Sequence, residues 1–259
     1  MKKYLLLPFL LVVFGAAGVL NSCKKDADSQ PTVGTVSLEL ANMVGTQPLA
    51  LDGTAYSTAS GETFTVSTLK YYISNITFAK ADGSTYAAPG EYHLIDASKS
   101  ASTNFTVSKV PTGDYTGVSF VVGVDSTTTK GDPLALSGDL NPANAMYWAW
   151  ATGHIFLKLE GTVTSASPNK ALVCHIGGYR QPYSALVTAA PSFKGSTLQV
   201  RSGTTPKIRL SADVLKIFDG PTRFTLSSFP TTMMPSAASV QVAQNYAAGM
   251  FAVAGVQAN

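Results

Sequence analysis

The sequence predicts an all-β protein, an antiparallel β-sandwich with long loops and a short helix near the C-terminus. Apolar and polar residues alternate with a period of two over most of the chain, as in strands that bury one face. β-Branched and aromatic residues fill the alternating segments. Turn signals separate these segments at intervals of roughly 8 to 12 residues, which is the spacing typical of a sandwich or barrel.

The N-terminal segment has the anatomy of a bacterial lipoprotein signal. Two lysines precede a short apolar run, and the run ends in "LNSC", which fits a lipobox. We expect a signal peptide at 1–22, a lipid on Cys23, a flexible tether over 23–35 and the β domain at 36–259. A plain signal peptide or a membrane anchor is the alternative, although the run is shorter than the roughly 20 residues of a membrane span. The expected location is the outer membrane of the bacterial envelope, facing the periplasm or the cell surface.

The first strands follow from three segments. "GETFTVSTLKYYISNITFAKADGSTYA" predicts two strands around a hairpin turn at Asp82-Gly83. "EYHLIDAS" predicts a further strand, and "FTVSKVPTGDYTGVSFVVGVDS" predicts two strands around Pro-Thr-Gly-Asp, the second ending at Asp125. The next stretch, 127–145, is rich in Gly, Pro and Asp and has no clear period, which predicts a long loop.

The second half of the chain continues the pattern. "HIFLKLEGTVTSASPNKALVCHIGGY" predicts a hairpin that turns near Ser167, which places His175 opposite Lys158 or close to it. "STLQVRSG" and "PKIRLSADVLKIF" repeat the paired-strand pattern. The Ala-rich segment 237–253 favours a short helix that closes the domain.

Charge and motifs exclude several classes of function. The formal net charge of +3 includes two lysines of the signal, so the mature chain is nearly neutral and nucleic-acid binding has no support. The signatures of serine hydrolases, zinc proteases, P-loop proteins and C-x-x-C redox proteins are absent from the sequence. With Cys23 lipidated, Cys174 has no partner for an intramolecular disulfide. We therefore expect a protein that is not itself an enzyme.

The stretch "MYWAWATGHIFLKLEG" concentrates the rarest residues of the chain. It holds both tryptophans, Trp148 and Trp150, and one of the three histidines, His154. All three share one face of an unbroken strand, although Trp150 and His154 then lie about 13 Å apart at the usual strand rise of about 3.3 Å per residue. A bend or bulge at Gly153 shortens that separation. Imidazole is a good ligand for copper, which tolerates few protein ligands.

Each of these residues also has a purely structural interpretation. Tryptophan is common in cores and interfaces, and His175 within "LVCHIGGY" suits a buried histidine bonded to backbone. His93 within "EYHLID" suits a half-exposed strand position. Cys174 projects to the strand face opposite His175, so the two do not easily share one metal ion or form a nucleophilic pair.

One ordered set of segments resembles a known family. The segments are "LKYYISNITF", "YHLID", "VPTGDYTGVSFVVGVD", "GDLNP..AMYWAWATGHIFLKLEG" and "HIGGY". They resemble the MbnP-like family, which includes relatives of the methanotroph surface copper proteins CorA and MopE. The likeness covers roughly residues 33–259. Its most specific part is the pattern W-x-W-x-x-G-x-x-F-x-K-x-E-G followed by H-I-G.

The resemblance implies a copper ion held by two histidines, next to a tryptophan oxidised to kynurenine. It also implies a partner, a diheme enzyme of the MauG and cytochrome c peroxidase type, which performs the oxidation. His175 matches the family histidine best, and Trp148 or Trp150 is the expected modified residue. His154 stands where many relatives carry tyrosine, and this departure leaves the second ligand open between His154 and, in reserve, His93. The implied role is metal acquisition or redox exchange.

Other interpretations stay open beside this one. Asp125 and Glu160 are candidate ligands for a structural calcium ion, because hard carboxylates suit calcium. In a different class of function, the chain is a metal-free binding or adhesion module of the envelope whose Trp-x-Trp pair is a contact surface. A third hypothesis makes it a structural partner of an outer-membrane transporter.

Overall fold

A larger and a smaller β-sheet face each other in this computed structural model. The structure describes Met1 and residues 32–88, 90–150 and 153–258. The predicted signal at 1–22, the lipidated Cys23 and most of the predicted tether lie outside the described residues. Strands account for 46% of the chain and helices for 16%, which confirms the predicted antiparallel all-β class.

The described residues form strands, short α-helices and 3-10 helices. The strands are β1 Val33–Val44, β2 Gln47–Pro48, β3 Ala55–Ser57, β4 Thr63–Ala79, β5 Thr85–Ala87, β6 Tyr92–Asp96, β7 Asn104–Pro111, β8 Gly113–Tyr115, β9 Gly117–Val122, β10 Tyr147–Trp148, β11 Gly153–Val163, β12 Lys170–Gly177, β13 Val187–Ala189, β14 Leu198–Val200, β15 Lys207–Asp213 and β16 Phe251–Gln257. The α-helices are α1 Ser126–Thr129, α2 Leu215–Phe218 and α3 Ala237–Gly249. The 3-10 helices are Ser100–Thr103, Pro133–Ala135, Gly138–Leu140, Pro142–Asn144 and Leu226–Ser228.

The smaller sheet has the strand order β16-β15-β1, with β7 and the short β2 along the other edge of β1. β1 is parallel to β15, the exception in an otherwise antiparallel arrangement. Alternation within β1 buries Val36, Leu38 and Leu40. β1 starts at Val33, slightly before the predicted start of the domain.

The larger sheet is organised around β4, which has 17 residues. One edge of β4 pairs with β11 and then with β9, while β3, β6 and β5 follow the other edge. The β4 register shifts twice, between Val66 and Thr68 and between Ser74 and Thr77. Each shift inserts one extra residue as a β-bulge, and bulges bend a strand. The sheet is accordingly curled rather than flat.

The inner face of this larger sheet packs against the smaller sheet. The Tyr71 ring lies edge-on to the Phe251 ring of β16, with ring centroids 5.7 Å apart. Phe120 of β9 also lies edge-on to Phe251, with ring centroids 5.1 Å apart. The Tyr71 hydroxyl donates to the Asn42 Oδ1 of β1 at 2.8 Å, which satisfies the one polar atom of a fully buried ring.

The outer face is covered by the chain between β9 and β10. Tyr72 donates to the carbonyl of Asp139 at 2.8 Å, and Lys70 Nζ lies 3.3 Å from the carbonyl of Asn144. The predicted loop at 127–145 is present, as a short helix and three 3-10 turns. This loop covers the outer face of the larger sheet. It thereby creates a second buried region, on the side that faces away from the interior of the sandwich.

Two sequence-based expectations differ from the structure near the C-terminus. β14 pairs with β8, whereas β15 pairs with β1 and β16, so the predicted pairing of these two strands is wrong. The residues after β15 turn into α2. The predicted helix exists as α3, capped by Ser236 and Ser239, but β16 follows it and completes the smaller sheet. None of the helices among the described residues is long and apolar enough to cross a bilayer.

Candidate tryptophan–histidine site

The hairpin of β11 and β12 carries two of the three predicted metal ligands, His154 and His175. His175 pairs with Lys158, which confirms the predicted register. The pairing shifts between Ile155 and Leu157, so the expected distortion of β11 occurs just after His154 rather than at Gly153. Lys158 in turn pairs with Lys70 of β4, and this places His175 on the outer face of the larger sheet.

The His175 ring contacts a carboxylate, which is itself paired with a lysine. His175 Nε2 lies 2.8 Å from Glu160 Oε1, and Lys158 Nζ lies 3.3 Å from the same oxygen. The His175 side chain is 8% exposed, whereas that of Glu160 is 33% exposed, so the imidazole is nearly buried and the carboxylate is partly open to solvent. The His175 backbone N–H donates to the carbonyl of Thr232 at 2.7 Å, which fixes the strand on its outer edge.

Electrostatics keep this pair as a neutral imidazole beside a carboxylate. Burial lowers the pKa of His175, and the hydrogen bond to Glu160 only partly opposes this. Burial alone raises the pKa of Glu160, but hydrogen bonds from His175 and Thr68 and the charge of Lys158 bring it below its ordinary value.

The indole of Trp148 packs directly on the end of β12. A Cβ atom placed on Gly177 would lie 2.8 Å from Trp148 Cζ3 and 2.6 Å from the carbonyl oxygen of His154. Only glycine permits this contact, which explains the glycine of the H-I-G motif. Gly177 is two residues from His175 on one strand, so alternation puts the indole and the imidazole on the same face.

Trp148 has an unusual polar atom. The side chain is 2% exposed, and its Nε1 is the one buried side-chain nitrogen or oxygen without a hydrogen-bond partner among the described residues. Leaving such a donor unpaired costs about 1–3 kcal/mol. The ring borders a cleft of about 100 Å³ whose other walls include Tyr179, Arg180 and Pro235, room for a few small atoms rather than a large ligand.

Trp150 has the opposite environment. Its side chain is 66% exposed, although its ring centroid lies only 6.5 Å from that of Trp148. The two neighbouring indoles therefore connect the protein surface, at Trp150, with the buried region, at Trp148. β10 ends at Trp148, so the unbroken strand assumed from the sequence does not exist, and the two indoles differ in burial.

His154 is buried under the loop between β9 and β10. Its Nδ1 lies 3.3 Å from Thr129 Oγ1, and its Nε2 lies 3.3 Å from the carbonyl of Leu140. Its ring is edge-on to Tyr72 at 5.7 Å and to Tyr147 at 5.1 Å. Burial lowers its pKa. Among the described residues, His154 and His175 have no hydrogen-bond partner in common, since the first binds the loop and the second binds Glu160.

His93 lies elsewhere in the sheet. It is on β6, which β4 and β11 separate from β12, or roughly 14 Å of sheet at the usual strand spacing. The His93 ring stacks on Phe105 at 3.8 Å, and its Nε2 lies 3.4 Å from Glu91 Oε2. The structure therefore does not bring His93 to His175.

The remaining predicted residues have other partners. Asp125 caps α1 by accepting from the N–H groups of Thr127 and Thr128, and it also accepts from the Tyr92 hydroxyl. Cys174 is a buried free thiol that pairs with Leu159, on the inner face, so it faces away from His175 as predicted. No three His, Cys, Asp or Glu side chains of the described residues surround one point.

The donors at this site suit a metal that accepts few protein ligands. His175 Nδ1 has no hydrogen bond from the described residues, and the Trp148 indole packs on Gly177, which is two residues along β12 on the same face. Nitrogen donors of this kind suit copper. His154 adds a second imidazole only by giving up its two hydrogen bonds, which at 3.3 Å are long.

The position of Lys158 opposite His175 was predicted from the sequence, but the contact of Glu160 with the His175 ring and with Lys158 was not. The signal was present, because K-x-E on one strand places both side chains on the face that the paired strand shares. The motif glycine after them, Gly161, has a different cause. A Cβ atom there would lie 1.9 Å from the carbonyl oxygen of Thr65, so only glycine permits β11 and β4 to approach at the bulge.

The fold and the site together define a two-sheet β protein with a buried tryptophan–histidine site on the outer face of its larger sheet. The chain belongs to the MbnP family, whose model matches residues 33–235. The structure is also similar to that of MbnP from Methylosinus trichosporium, with a TM-score of 0.57, 13% sequence identity, and coverage of 88% of this chain and 99% of that chain. At this identity the likeness is one of fold. A search of curated proteins finds no match.

Proposed function

We propose that this protein is a bacterial envelope lipoprotein that binds copper through His175 beside an oxidised Trp148. Membership of the MbnP family and the shared fold support a related envelope protein. The observation that carries the finer proposal is the unpartnered Nε1 of Trp148, buried where the indole packs on Gly177. A buried donor without a partner calls for a physical explanation, and a redox role of the group is one that suits this site.

Oxidation to kynurenine resolves that imbalance. The C2–C3 bond of the indole breaks and each carbon gains an oxygen atom from water, which releases four electrons and four protons. Two molecules of hydrogen peroxide, the co-substrate of a diheme peroxidase-type enzyme, accept these electrons and protons and are reduced to water. Hydrolysis then releases C2 as formate. The product carries a ketone and an aromatic amine, so an apolar ring becomes a donor of ligand atoms on the face that carries His175.

Trp150 makes the buried target accessible to a large partner. Its ring is 66% exposed and lies 6.5 Å from the Trp148 ring, so an electron can leave Trp148 by way of Trp150. The diheme partner then needs to contact only the surface around Trp150. We infer that Trp148 is the modified residue and Trp150 the relay.

The chain's own residues supply the copper donors. His175 is the first ligand, because its Nδ1 is free of hydrogen bonds from the described residues. His154 is the proposed second ligand and has to leave Thr129 and Leu140, whereas His93, on β6, lies too far along the sheet from His175 to serve as the reserve ligand. A bound copper ion supplies one-electron redox chemistry, which suits metal acquisition or redox exchange.

The lipid anchor and a calcium ion belong to the proposal as well. A diacylglycerol on Cys23 supplies two acyl chains, which suffices for stable anchoring to the outer membrane. A structural calcium ion at Asp125 or Glu160 stays a prediction. Both carboxylates already accept hydrogen bonds from protein donors.

A metal-free binding module of the envelope is the second candidate, and the exposure of Trp150 favours it. Burial of Trp148 weakens this alternative, because the proposed contact surface then has one indole instead of two. Exposed Met233, Met234 and Tyr183 would have to supply the rest of the surface.

Peptide mass mapping with metal analysis tests the proposal. The full chain is isolated from its native host, and the tryptic peptide that ends at Lys158 contains both tryptophans. We expect a gain of about 4 Da on Trp148 and near-equimolar copper. Trp150→Phe should slow the modification, whereas Trp148→Phe should abolish it. An unmodified peptide together with no copper would contradict the proposal and favour the binding module.

A further inference from the structure

The contacts of His175 determine more than its position, because they distinguish its two ring nitrogens. Nε2 is 2.8 Å from Glu160 Oε1, whereas no described residue forms a hydrogen bond with Nδ1. An ionised carboxylate has only acceptor sites, so the atom facing it must carry the proton. In a neutral imidazole the other nitrogen then holds the lone pair.

We propose that Glu160 is a positioning residue that holds His175 as the Nε2–H tautomer and thereby makes Nδ1 the nitrogen offered to a metal ion. The proposal rests on the copper function given above. It assigns Glu160 an indirect role, through the orientation and basicity of the ligand. Carboxylates that orient metal-binding histidines in this way commonly change metal affinity 10- to 100-fold when they are removed.

An ion pair with Lys158 holds the Glu160 carboxylate in place. Its Nζ lies 3.3 Å from Glu160 Oε1, the same oxygen that faces His175. Lys158 is the cross-strand partner of His175, and Glu160 follows two residues later on the same face. The three side chains thus form one chain of contacts across two adjacent strands, and 15% exposure of the lysine side chain limits competition from water.

The other two histidines lack such an arrangement. His154 Nε2 faces the carbonyl of Leu140 at 3.3 Å, which only accepts, so Nε2 carries the proton and Nδ1 accepts from the Thr129 hydroxyl at 3.3 Å. Both ring nitrogens of His154 are therefore occupied, and neither is free for a metal ion. His93 is 3.4 Å from Glu91, near the limit of a hydrogen bond, and its ring stacks on Phe105. Of the described histidines, His175 is the one whose free nitrogen is assigned by a short contact to a carboxylate.

The first test needs no metal. The full chain, purified in detergent and labelled with nitrogen-15 on histidine, contains only three labelled rings. Long-range proton–nitrogen correlation of the metal-free protein should show a protonated Nε2 and an unprotonated Nδ1 for His175. Glu160→Gln retains size but can donate as well as accept, so the tautomers should mix. A protonated Nδ1 in the wild-type protein would overturn the assignment.

The second test measures copper. Glu160→Gln should weaken Cu(II) binding 10- to 100-fold and should change the electron spin-echo signal of the remote imidazole nitrogen, which senses its hydrogen bond. Glu39→Gln is the matched control. That carboxylate is also on a strand and in a lysine ion pair, with 36% exposure against 33% for Glu160, but it contacts no histidine.

The outcomes separate this proposal from the copper function itself. In one outcome, the wild-type protein binds copper, His175→Ala abolishes the binding, and Glu160→Gln changes neither the affinity nor the spin-echo signal. That outcome overturns the role of Glu160 but retains the copper function. A wild-type protein that binds no copper overturns the function, and with it the metal-directed role of Glu160, even if Nε2 carries the proton. Circular dichroism of each variant verifies that the fold is intact.

Discussion

Gly177→Ala tests whether the packing of Trp148 on β12 shapes the site. The new methyl group would lie 2.6 Å from the carbonyl oxygen of His154 and 2.8 Å from Trp148 Cζ3, whereas ordinary contacts begin near 3.4 Å. The carbonyl belongs to the β11–β12 hairpin and cannot move without disturbing the strand. The indole must therefore shift outward, away from its buried position.

The expected cost follows from overpacking in a well-packed region, which is typically about 1–3 kcal/mol. For a domain of this size each kcal/mol lowers the Tm by roughly 2–4 °C. Thermal unfolding therefore measures the strain. Fluorescence of protein produced without the oxidising partner measures the displacement, because Trp150→Phe then leaves an intact Trp148 as the single tryptophan. Its emission should move to longer wavelength as the ring meets water.

Gly255→Ala is the matched control. Gly255 is also in a strand, β16, and a Cβ atom there would have no neighbour within 4 Å. We expect its Tm to stay near that of the parent protein, or to rise slightly because alanine reduces the entropy of the unfolded chain. If Gly177→Ala matches the Gly255→Ala protein in Tm and in tryptophan emission, the inferred contact between Trp148 and Gly177 is wrong.

Three further predictions use other parts of the site. His175→Ala should abolish tight copper binding, and isothermal titration showing unchanged affinity would remove His175 from the ligand set. Cys174→Ser should leave copper affinity unchanged because the thiol faces the inner side, while placing a hydroxyl in the core should lower the free energy of unfolding by about 1–3 kcal/mol; a large loss of copper would contradict the strand alternation. Burial lowers the pKa of His154 below its ordinary value of 6.5, so its stabilising contribution is present above that pH and is lost as the pH falls through the folded-state pKa. Denaturant unfolding across this range should show stability falling on the acid side, and His154→Gln should flatten the slope; an equally steep slope in the variant would exclude His154 as its source.

Much of the fold was predictable because strand formation is a local property. Alternation indicated β4, β6, β9, β11 and β12, and Asp82-Gly83 indicated the turn between β4 and β5. The Ser-Pro-Asn turn was enough to place His175 opposite Lys158, since hairpin register follows from loop length. The same alternation separated Cys174 from His175.

The partners of distant strands were not predictable in this way. Nothing local to β14 or β15 reveals that the first pairs with β8 and the second lies parallel to β1, because these contacts join segments far apart in the chain. The β16 strand was likewise hidden behind the helical pattern of α3. Choice of partner depends on which apolar faces meet in the assembled core.

The sequence by itself determined the residue types of the site, the face of β12 that His175 occupies and the adjacency of the two tryptophans. Only the tertiary structure decided that Trp148 is buried with an unpartnered nitrogen while Trp150 is exposed, that the loop before β10 engages His154, and that Glu160 selects one nitrogen of His175. The physical reason is that burial and hydrogen bonding depend on what a distant segment places over a side chain, whereas periodicity only reports which way that side chain points.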